Sequence, residues 1–215
     1  MIKVDKLLEQ YLLSHIEDES PLLARLYRET YVKMVNGRMC SDHLQGSILT
    51  LLCKLVHPSK ILEIGTYTGY SALCLANGLT DNGILHTIEI NDEFESLAAP
   101  FFEESGLRNR IIQHIGDAEN IIPLLDEKFD LVFIDADKRK YLSNYNLVFP
   151  KVAMGGVIIA DNVLWAGKVV QKVSKNDEQT IGIMQFNDFV KNDPRVETFM
   201  IPIRDGMTVL RKISE

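Results

Sequence analysis

Apolar residues recur every three or four positions through the first part of the chain, and this spacing predicts helices. One apolar stripe lies within residues 7–12. A second helix is predicted to begin at Ser20-Pro21, because serine caps a helix well and proline suits its first turn. We expect it to end at Asn36-Gly37, since glycine commonly follows the last helical turn. A third helix is predicted next.

This third helix covers residues 42–57, and beyond it short apolar strands alternate with helices. Strands are predicted over residues 60–65, 83–90, 110–115, 129–134, 156–160, 196–203 and 207–213, and further helices over residues 71–79, 92–105, 140–149 and 178–191. Such alternation indicates a parallel sheet with helices on both faces. The last two strands flank Asp205-Gly206, which predicts a closing antiparallel hairpin at or near one edge. The expected fold is a doubly wound α/β sheet of about seven strands with extra N-terminal helices.

Length and composition favour one domain. The chain has 215 residues, of which 46% are hydrophobic and 25% charged, as in ordinary globular proteins. We predict a single domain over residues 1–215, with a helical extension at 1–57 and an α/β core at 58–215.

The sequence also bears on location and partners. No signal peptide or membrane-spanning stretch is apparent, and three cysteines without paired spacing suit a reducing compartment, so we expect a cytoplasmic protein. The net charge of -7 argues against nucleic acid as a partner. The basic cluster Lys138-Arg139-Lys140 keeps tRNA open as an alternative.

The first predicted strand runs into a glycine turn that suits a nucleoside without phosphates. Gly65 and Gly69 have the spacing G-x-x-x-G rather than the G-x-G-x-x-G of a dinucleotide site. Glu63, at the strand end, would repel a phosphate and attract a cationic group. Taken alone, a glycine turn after a strand is about as often a turn without a ligand as a ligand-binding turn.

Acidic residues follow the next two strands. Glu89 lies where an acid can accept hydrogen bonds from both ribose hydroxyls, and Gly116-Asp117-Ala118 could flank an adenine ring. Taken singly, each of these acidic residues could be a solvent-exposed residue at the end of a strand with no ligand. Together they fit a nucleoside that carries a positive centre, which is S-adenosylmethionine.

Two further strands end in oxygen-bearing side chains. Asp135 follows one strand, and Asp161 and Asn162 follow the next. Adjacent parallel strands would bring these residues together, and oxygen-only ligation suits a hard cation. Mg²⁺ is the first choice, with Ca²⁺ and Mn²⁺ as alternatives. The competing interpretation is that both aspartates merely cap loops.

Four blocks make a specific resemblance, covering the chain from about Met39 onward. The chain resembles the class I, cation-dependent O-methyltransferases related to the catechol and caffeoyl-CoA enzymes, and most of all their bacterial members. The matching blocks are LEIGTYTGYS (62–71), FIDADK (133–138), ADNVLWAG (160–167) and PIRDGMTVL (202–210). The resemblance implies a Rossmann-like sheet and transfer of a methyl group from S-adenosylmethionine to an oxygen.

The resemblance also implies roles for individual residues. It places Lys138 as the general base, with Asp135 also in the catalytic set, and it assigns Asp137 to the acceptor. Trp165 could stack on an aromatic acceptor or only anchor its loop. The metal ligands would be Asp135, Asp161 and Asn162, and the residues expected at the cofactor are Met39, Ser41, Glu63, Gly65, Thr66, Gly69, Ser71, Glu89, Asp117, Ala118 and Asp135.

Two departures from the relatives bear on the acceptor. Residues 201–204 lack the acid that animal catechol enzymes carry before the final Asp-Gly turn. Residues 173–185 lack the arginine and tyrosine that plant enzymes use for the CoA ester. These departures argue against a simple catechol and against a CoA thioester as the acceptor. The resemblance as a whole implies a small, catechol- or hydroxycinnamate-like aromatic acceptor, and a homodimer. A tRNA hydroxyuridine methyltransferase and an NAD-dependent dehydrogenase are the alternatives.

Overall fold

The N-terminal helices form where capping residues precede them. A computed structural model of the protein describes residues 6–215. Its first three helices are α1 (Lys6–Leu13), α2 (Pro21–Lys33) and α3 (His43–Val56). Ser20 accepts a hydrogen bond from the Leu23 amide at 3.3 Å, and Asp42 accepts one from the Gln45 amide at 3.0 Å. Each bond satisfies an amide that the first helical turn leaves free.

The rest of the described chain alternates strands and helices. The strands are β1 (Lys60–Ile64), β2 (Ile84–Glu89), β3 (Ile111–Ile115), β4 (Phe129–Ile134), β5 (Val152–Asp161), β6 (Val196–Ile201) and β7 (Met207–Lys212). The helices are α4 (Tyr70–Ala76), α5 (Glu95–Glu104), α6 (Ala118–Ile121), α7 (Tyr141–Val148) and α8 (Glu178–Asn192).

All seven strands form one sheet with the order β3-β2-β1-β4-β5-β7-β6. The first five strands pair in parallel, whereas β7 lies antiparallel to both β5 and β6. The predicted doubly wound sheet with a closing hairpin is therefore confirmed. Because the strand order reverses between β1 and β4, the carboxyl ends of these strands leave a crevice where ligands bind in such folds.

Two apolar clusters cover the two faces of the sheet. Leu26, Leu49 and Leu73, from α2, α3 and α4, belong to one cluster. Tyr145 of α7 and Phe186 of α8 belong to the other. The N-terminal helices therefore share the core of the sheet on one face. The division into residues 1–57 and 58–215 stays a prediction.

Several boundaries differ from the prediction. Helix α2 ends at Lys33 rather than at Asn36-Gly37, because Met34 is extended and a short 3-10 helix occupies Gly37–Met39. Strand β5 begins at Val152 rather than at residue 156, with a register shift against β4 that accommodates its glycines.

Other differences concern the ends of strands. Strand β6 stops at Ile201, two residues early, and the short helix α6 was not predicted. Within residues 6–215, none of the helices combines the length and apolar character needed to cross a membrane.

Candidate active site

A cavity of about 1130 Å³ opens at the carboxyl ends of the parallel strands. Residues from the ends of β1, β2 and β3 line one part of it, which we call the β1–β3 side. The other part, the β4–β5 side, is lined by residues after β4 and β5, by Gln45, and by the turn before β7. The strand order places the two sides next to each other, since β1 pairs with β4.

In the turn after β1, the main chain lies close to the main chain that follows β4. Gly65 and Gly69 have φ angles of 105° and 92°, in the region that favours glycine. A Cβ atom on Gly65 would collide with the carbonyl oxygen of Asp135. The two sides of the cavity thus meet through main-chain contact at this point.

Glu63 lies wholly buried beneath that turn. The Thr87 hydroxyl donates to its Oε2 at 2.6 Å, and its Oε1 has no hydrogen-bond partner among residues 6–215. Burial raises the pKa of Glu63 to about 8, with the charges of Asp135 and Glu89 adding to the effect. A cationic group bound nearby would stabilise the ionised form.

Glu89, at the end of β2, is held by the main chain. The amide of Tyr67 donates to one carboxylate oxygen at 2.7 Å, and the amide of Asn91 donates to the other at 3.0 Å. Each oxygen keeps capacity for another donor, since a carboxylate has about four acceptor sites. Glu89 lines the cavity, so it can accept hydrogen bonds from the two hydroxyls of a ribose.

Asp117, after β3, caps α6 and pairs with a lysine of the next helix. Its Oδ1 accepts from the amide of Glu119 at 3.0 Å, and its Oδ2 accepts from Lys140 Nζ at 2.9 Å. The hydrogen bond from Lys140 is the main reason that the pKa of Asp117 lies below its usual value. Asp117 and Ala118 both line the cavity.

Lys138 and Asp135 form a buried ion pair on the β4–β5 side. Lys138 Nζ lies 2.7 Å from Asp135 Oδ1 and 2.7 Å from the hydroxyl oxygen of Tyr141. The Tyr141 hydroxyl donates in turn to the carbonyl oxygen of Asp161 at 2.9 Å. The ammonium group is therefore held between the tips of β4 and β5.

Asp161, the last residue of β5, is buried and bonded to a side chain of α3. Gln45 Nε2 donates to Asp161 Oδ2, while Gln45 Oε1 accepts from the guanidinium of Arg204. Arg204 Nε also lies 3.2 Å from Asp42 Oδ2. Burial raises the pKa of Asp161 to about 7, and the negative charge of Asp135 acts in the same direction.

The segment after Asp161 has an unusual backbone. Asn162, Trp165 and Ala166 have φ angles of 55°, 45° and 52°. Residues other than glycine rarely adopt such positive φ angles. The turn before β7 holds the segment, because the Leu164 amide donates to the Asp205 carbonyl at 2.8 Å and the Ala166 amide donates to the Asp205 side chain. Trp165 lies with its ring 5.9 Å from Lys138 Nζ.

The structure brings most of the predicted site residues to this one cavity. Glu63 and Gly69 lie outside the set that lines it, because Glu63 is under the turn and Gly69 starts α4. The predicted residues that do line it are Met39, Ser41, Gly65, Thr66, Ser71, Glu89, Asp117, Ala118, Asp135, Asp137, Lys138, Asp161, Asn162 and Trp165. Their individual roles stay predictions.

Sequence reasoning missed other cavity residues. Gln45 and Asp205 act through partners far away in the chain. No local pattern points to Gln45, and the sequence predicts Asp205 only as part of the closing turn. Asn144 had a local signal, since it is a polar residue on the buried face of α7 that Tyr141, Tyr145 and Val148 share.

The donor set on the β4–β5 side fits a hard cation. Two carboxylates and an amide, Asp135, Asp161 and Asn162, line the cavity together. Burial, together with the negative charge of Asp135, raises the pKa of Asp161, and a cation bound beside it would favour its ionised form. In the described part of the chain, His, Cys, Asp and Glu side chains form no cluster of three or more able to hold a metal, so the amide would be an essential third ligand.

Comparison with known proteins identifies the class. The O-methyltransferase TomG from Streptomyces achromogenes, solved with S-adenosylmethionine, superimposes with a TM-score of 0.91 at 28% identity, and all of both chains is covered. An O-methyltransferase from Bacillus cereus, solved with S-adenosylhomocysteine, also gives 0.91 at 28% identity over 99% of this chain and 100% of that one. The fold and cavity are those of a Rossmann-like methyltransferase.

The sequence comparisons establish the family. A family model for O-methyltransferases matches residues 13–213. The caffeoyl-CoA O-methyltransferase of Petroselinum crispum is 31% identical over 100% of this chain and 93% of its own length. The chain belongs to the O-methyltransferase family and is an S-adenosylmethionine-dependent O-methyltransferase. The tRNA and dehydrogenase alternatives are not favoured.

Proposed function

We propose that the enzyme methylates a hydroxyl group of a small aromatic acceptor with the help of a divalent cation, Mg²⁺ in the first place. The observation that carries this proposal is the meeting of Asp135, Asp161 and Asn162 with Lys138 and Trp165 in one cavity. Bound by the three oxygen ligands, the cation would fix the acceptor hydroxyl and favour its ionised form. S-adenosylmethionine supplies the methyl group.

The remaining chemistry belongs to side chains of this protein. Lys138 Nζ is held at the cavity by Asp135 and Tyr141. After it has released its own proton to solvent, the neutral amine would take the proton from the acceptor hydroxyl. Glu89 holds the ribose, so that the methyl donor and the acceptor oxygen meet in a fixed orientation. The ring of Trp165 forms a wall of the acceptor site, with Asp137 also at the acceptor.

Metal dependence gives the first test. Treatment with EDTA should abolish methyl transfer, and added Mg²⁺ should restore it. Acceptors to screen with labelled S-adenosylmethionine are catechols, free hydroxycinnamates, their CoA thioesters, flavonoids and undermodified tRNA. Asp161→Ala should reduce turnover to the background rate yet still bind S-adenosylmethionine, as calorimetry would show. Full turnover in chelator would contradict the metal proposal and leave the methyltransferase class untouched.

We also propose a homodimer and a cytoplasmic location. Exposed apolar side chains of the first three helices, among them Leu7, Tyr31 and Leu55, support an interface there. The three cysteines, all buried free thiols, support a reducing compartment. Light scattering at several protein concentrations would test the dimer.

A further inference from the structure

Asn144 is a buried side-chain amide on helix α7. The residue is 1% exposed, and its Oδ1 has no hydrogen-bond partner among residues 6–215. It lies on α7, between Tyr141 and Tyr145, on the face that packs into the core. Buried polar groups are almost always hydrogen-bonded, so an orphan of this kind needs a reason.

Its surroundings point to a ligand. Asn144 lines the same cavity as Gly116, Asp117 and Ala118, the segment that follows β3. The side of α7 that carries Asn144 faces this segment, because Lys140, one turn earlier, donates to Asp117 at 2.9 Å. Ser143 of α7 also donates to Glu119 at 3.3 Å, and this hydrogen bond holds α7 against the same segment.

The order of groups along the cavity shows which part of the cofactor reaches Asn144. Glu89 at the end of β2 suits the ribose, and β3 is the next strand outward in the sheet. The base of a nucleoside whose ribose is at Glu89 therefore extends towards Asp117 and Asn144. Adenine presents a 6-amino group with two hydrogens at its edge, and an asparagine amide pairs well with that edge.

We propose that Asn144 recognises the adenine of S-adenosylmethionine, with its Oδ1 accepting one hydrogen of the 6-amino group. Asp117 is suited to the other hydrogen, since its two carboxylate oxygens each have one protein donor and keep spare acceptor capacity. The inference rests on the cofactor and does not depend on the acceptor or the metal. Asn144 is thus a specificity residue for the base.

The test compares Asn144→Leu with Asn146→Leu, a matched change on the exposed side of the same helix. Calorimetry with S-adenosylhomocysteine should show Asn144→Leu binding about 5–50-fold more weakly, and Asn146→Leu binding as the wild type does. With S-inosylhomocysteine, which has an oxygen in place of the amino group, Asn144→Leu should lose much less. The preference for adenine over hypoxanthine should therefore shrink by at least about fivefold.

The Tm of the cofactor-free protein gives a second readout, because it should rise in Asn144→Leu if Asn144 serves the ligand and fall if Asn144 serves packing. Replacing an unpaired buried amide by an apolar side chain of similar size should raise the Tm of the cofactor-free protein, by about 2–4 °C. A lower Tm with unchanged affinity would show that Asn144 serves packing. An unchanged preference for adenine would overturn the proposal, whatever the Tm. Because both readouts avoid turnover, failure here is separate from failure of the acceptor or metal proposals.

Discussion

Glu89 and Asp161, one on each side of the cavity, are held in different ways. On the β1–β3 side, Glu89 accepts from two main-chain amides that belong to its own strand end and to the glycine turn. On the β4–β5 side, Asp161 accepts from Gln45, a side chain 116 positions away in the chain. Main-chain donors are fixed once the fold forms, whereas side-chain donors can be exchanged one by one. The first arrangement is set by the fold itself, and the second can be altered by single substitutions.

Lys138 should give the largest effect among single substitutions that probe this contrast. Lys138→Ala should lower turnover by about 10²–10⁴-fold, the usual contribution of a general base, and should leave S-adenosylmethionine affinity nearly unchanged. Lys138→Arg should not restore turnover, because a guanidinium stays protonated. Steady-state kinetics and calorimetry on both variants would measure this.

Lys175→Ala, at an exposed lysine outside the cavity, is the control for loss of a positive charge. If Lys138→Arg keeps turnover within a few-fold of the wild type, Lys138 only positions the acceptor. The β4–β5 side would then act through its carboxylates alone.

Substitution of Glu89 tests the carboxylate that main-chain amides hold. Glu89→Ala should weaken cofactor binding by about 1.5–3 kcal/mol for each charged hydrogen bond lost. Removal of a ribose hydroxyl from the ligand tests the cause directly. A 2′-deoxy analogue should bind the wild type more weakly than the parent ligand, and Glu89→Ala should not distinguish the two.

Glu93→Ala is a suitable control for Glu89→Ala, because Glu93 is exposed and near in sequence. Equal affinity of Glu89→Ala and the wild type would mean that the ribose lies elsewhere.

Substitution of Gln45 tests the carboxylate that a side chain holds, Asp161. Gln45→Leu removes the donor to Asp161, and partners of metal ligands typically contribute about 10–100-fold in metal affinity or activity. We expect a loss in that range for turnover and for Mn²⁺ affinity, with unchanged S-adenosylmethionine affinity. Thr50→Val is the control, since it removes a 2.9 Å hydrogen bond from the same helix to Cys74. Equal losses in both variants would indicate a general weakening of α3.

A histidine pair between β2 and β3, outside the cavity, gives the smallest predicted effect. His86 Nδ1 and His114 Nε2 lie 3.0 Å apart on β2 and β3, and burial lowers the pKa of both side chains. His114 and Lys60 disfavour the charge of His86, while Glu127 opposes this for both rings. The folded state then binds fewer protons than the unfolded state.

The contribution of this pair to stability is complete above the unfolded histidine pKa of about 6.5 and declines as the pH falls below it. Denaturant unfolding between pH 5 and 8 should show a steeper loss for the wild type than for His114→Gln. The difference should be at most about one proton per molecule. Parallel curves would show that the pair does not contribute.

The sequence reveals those parts of the fold that depend on neighbouring residues. Strand β1, which contains Glu63, and the glycine turn after it are encoded within about ten positions, and so is strand β4 with the Asp135 that follows it. Strand β5 begins earlier than predicted, because Val152 pairs with Phe129 of β4 before a register shift that contains Gly155-Gly156. Tertiary pairing decides such cases.

The candidate site follows the same rule. Asp135, Asp161 and Asn162 could be predicted to converge because each ends a strand of one sheet. The link from Arg204 through Gln45 to Asp161 could not, since Arg204 and Gln45 are 159 positions apart and nothing in the block that contains Arg204 points to Gln45. Polar pairs of this kind depend on how loops and helices meet over the sheet.

The contact between Leu164 and Gly206 has a practical consequence for altering the acceptor range. Gly206 has a φ angle of 82°, and a Cβ atom there would lie 2.5 Å from the Leu164 side chain. The Val163 amide also donates to the Gly206 carbonyl at 3.1 Å. A combinatorial library that randomises residues 204–206 alone would therefore place new side chains at position 206 against Leu164. Recombination should exchange residues 163–166 and 204–206 together, as one cassette taken from the same parent.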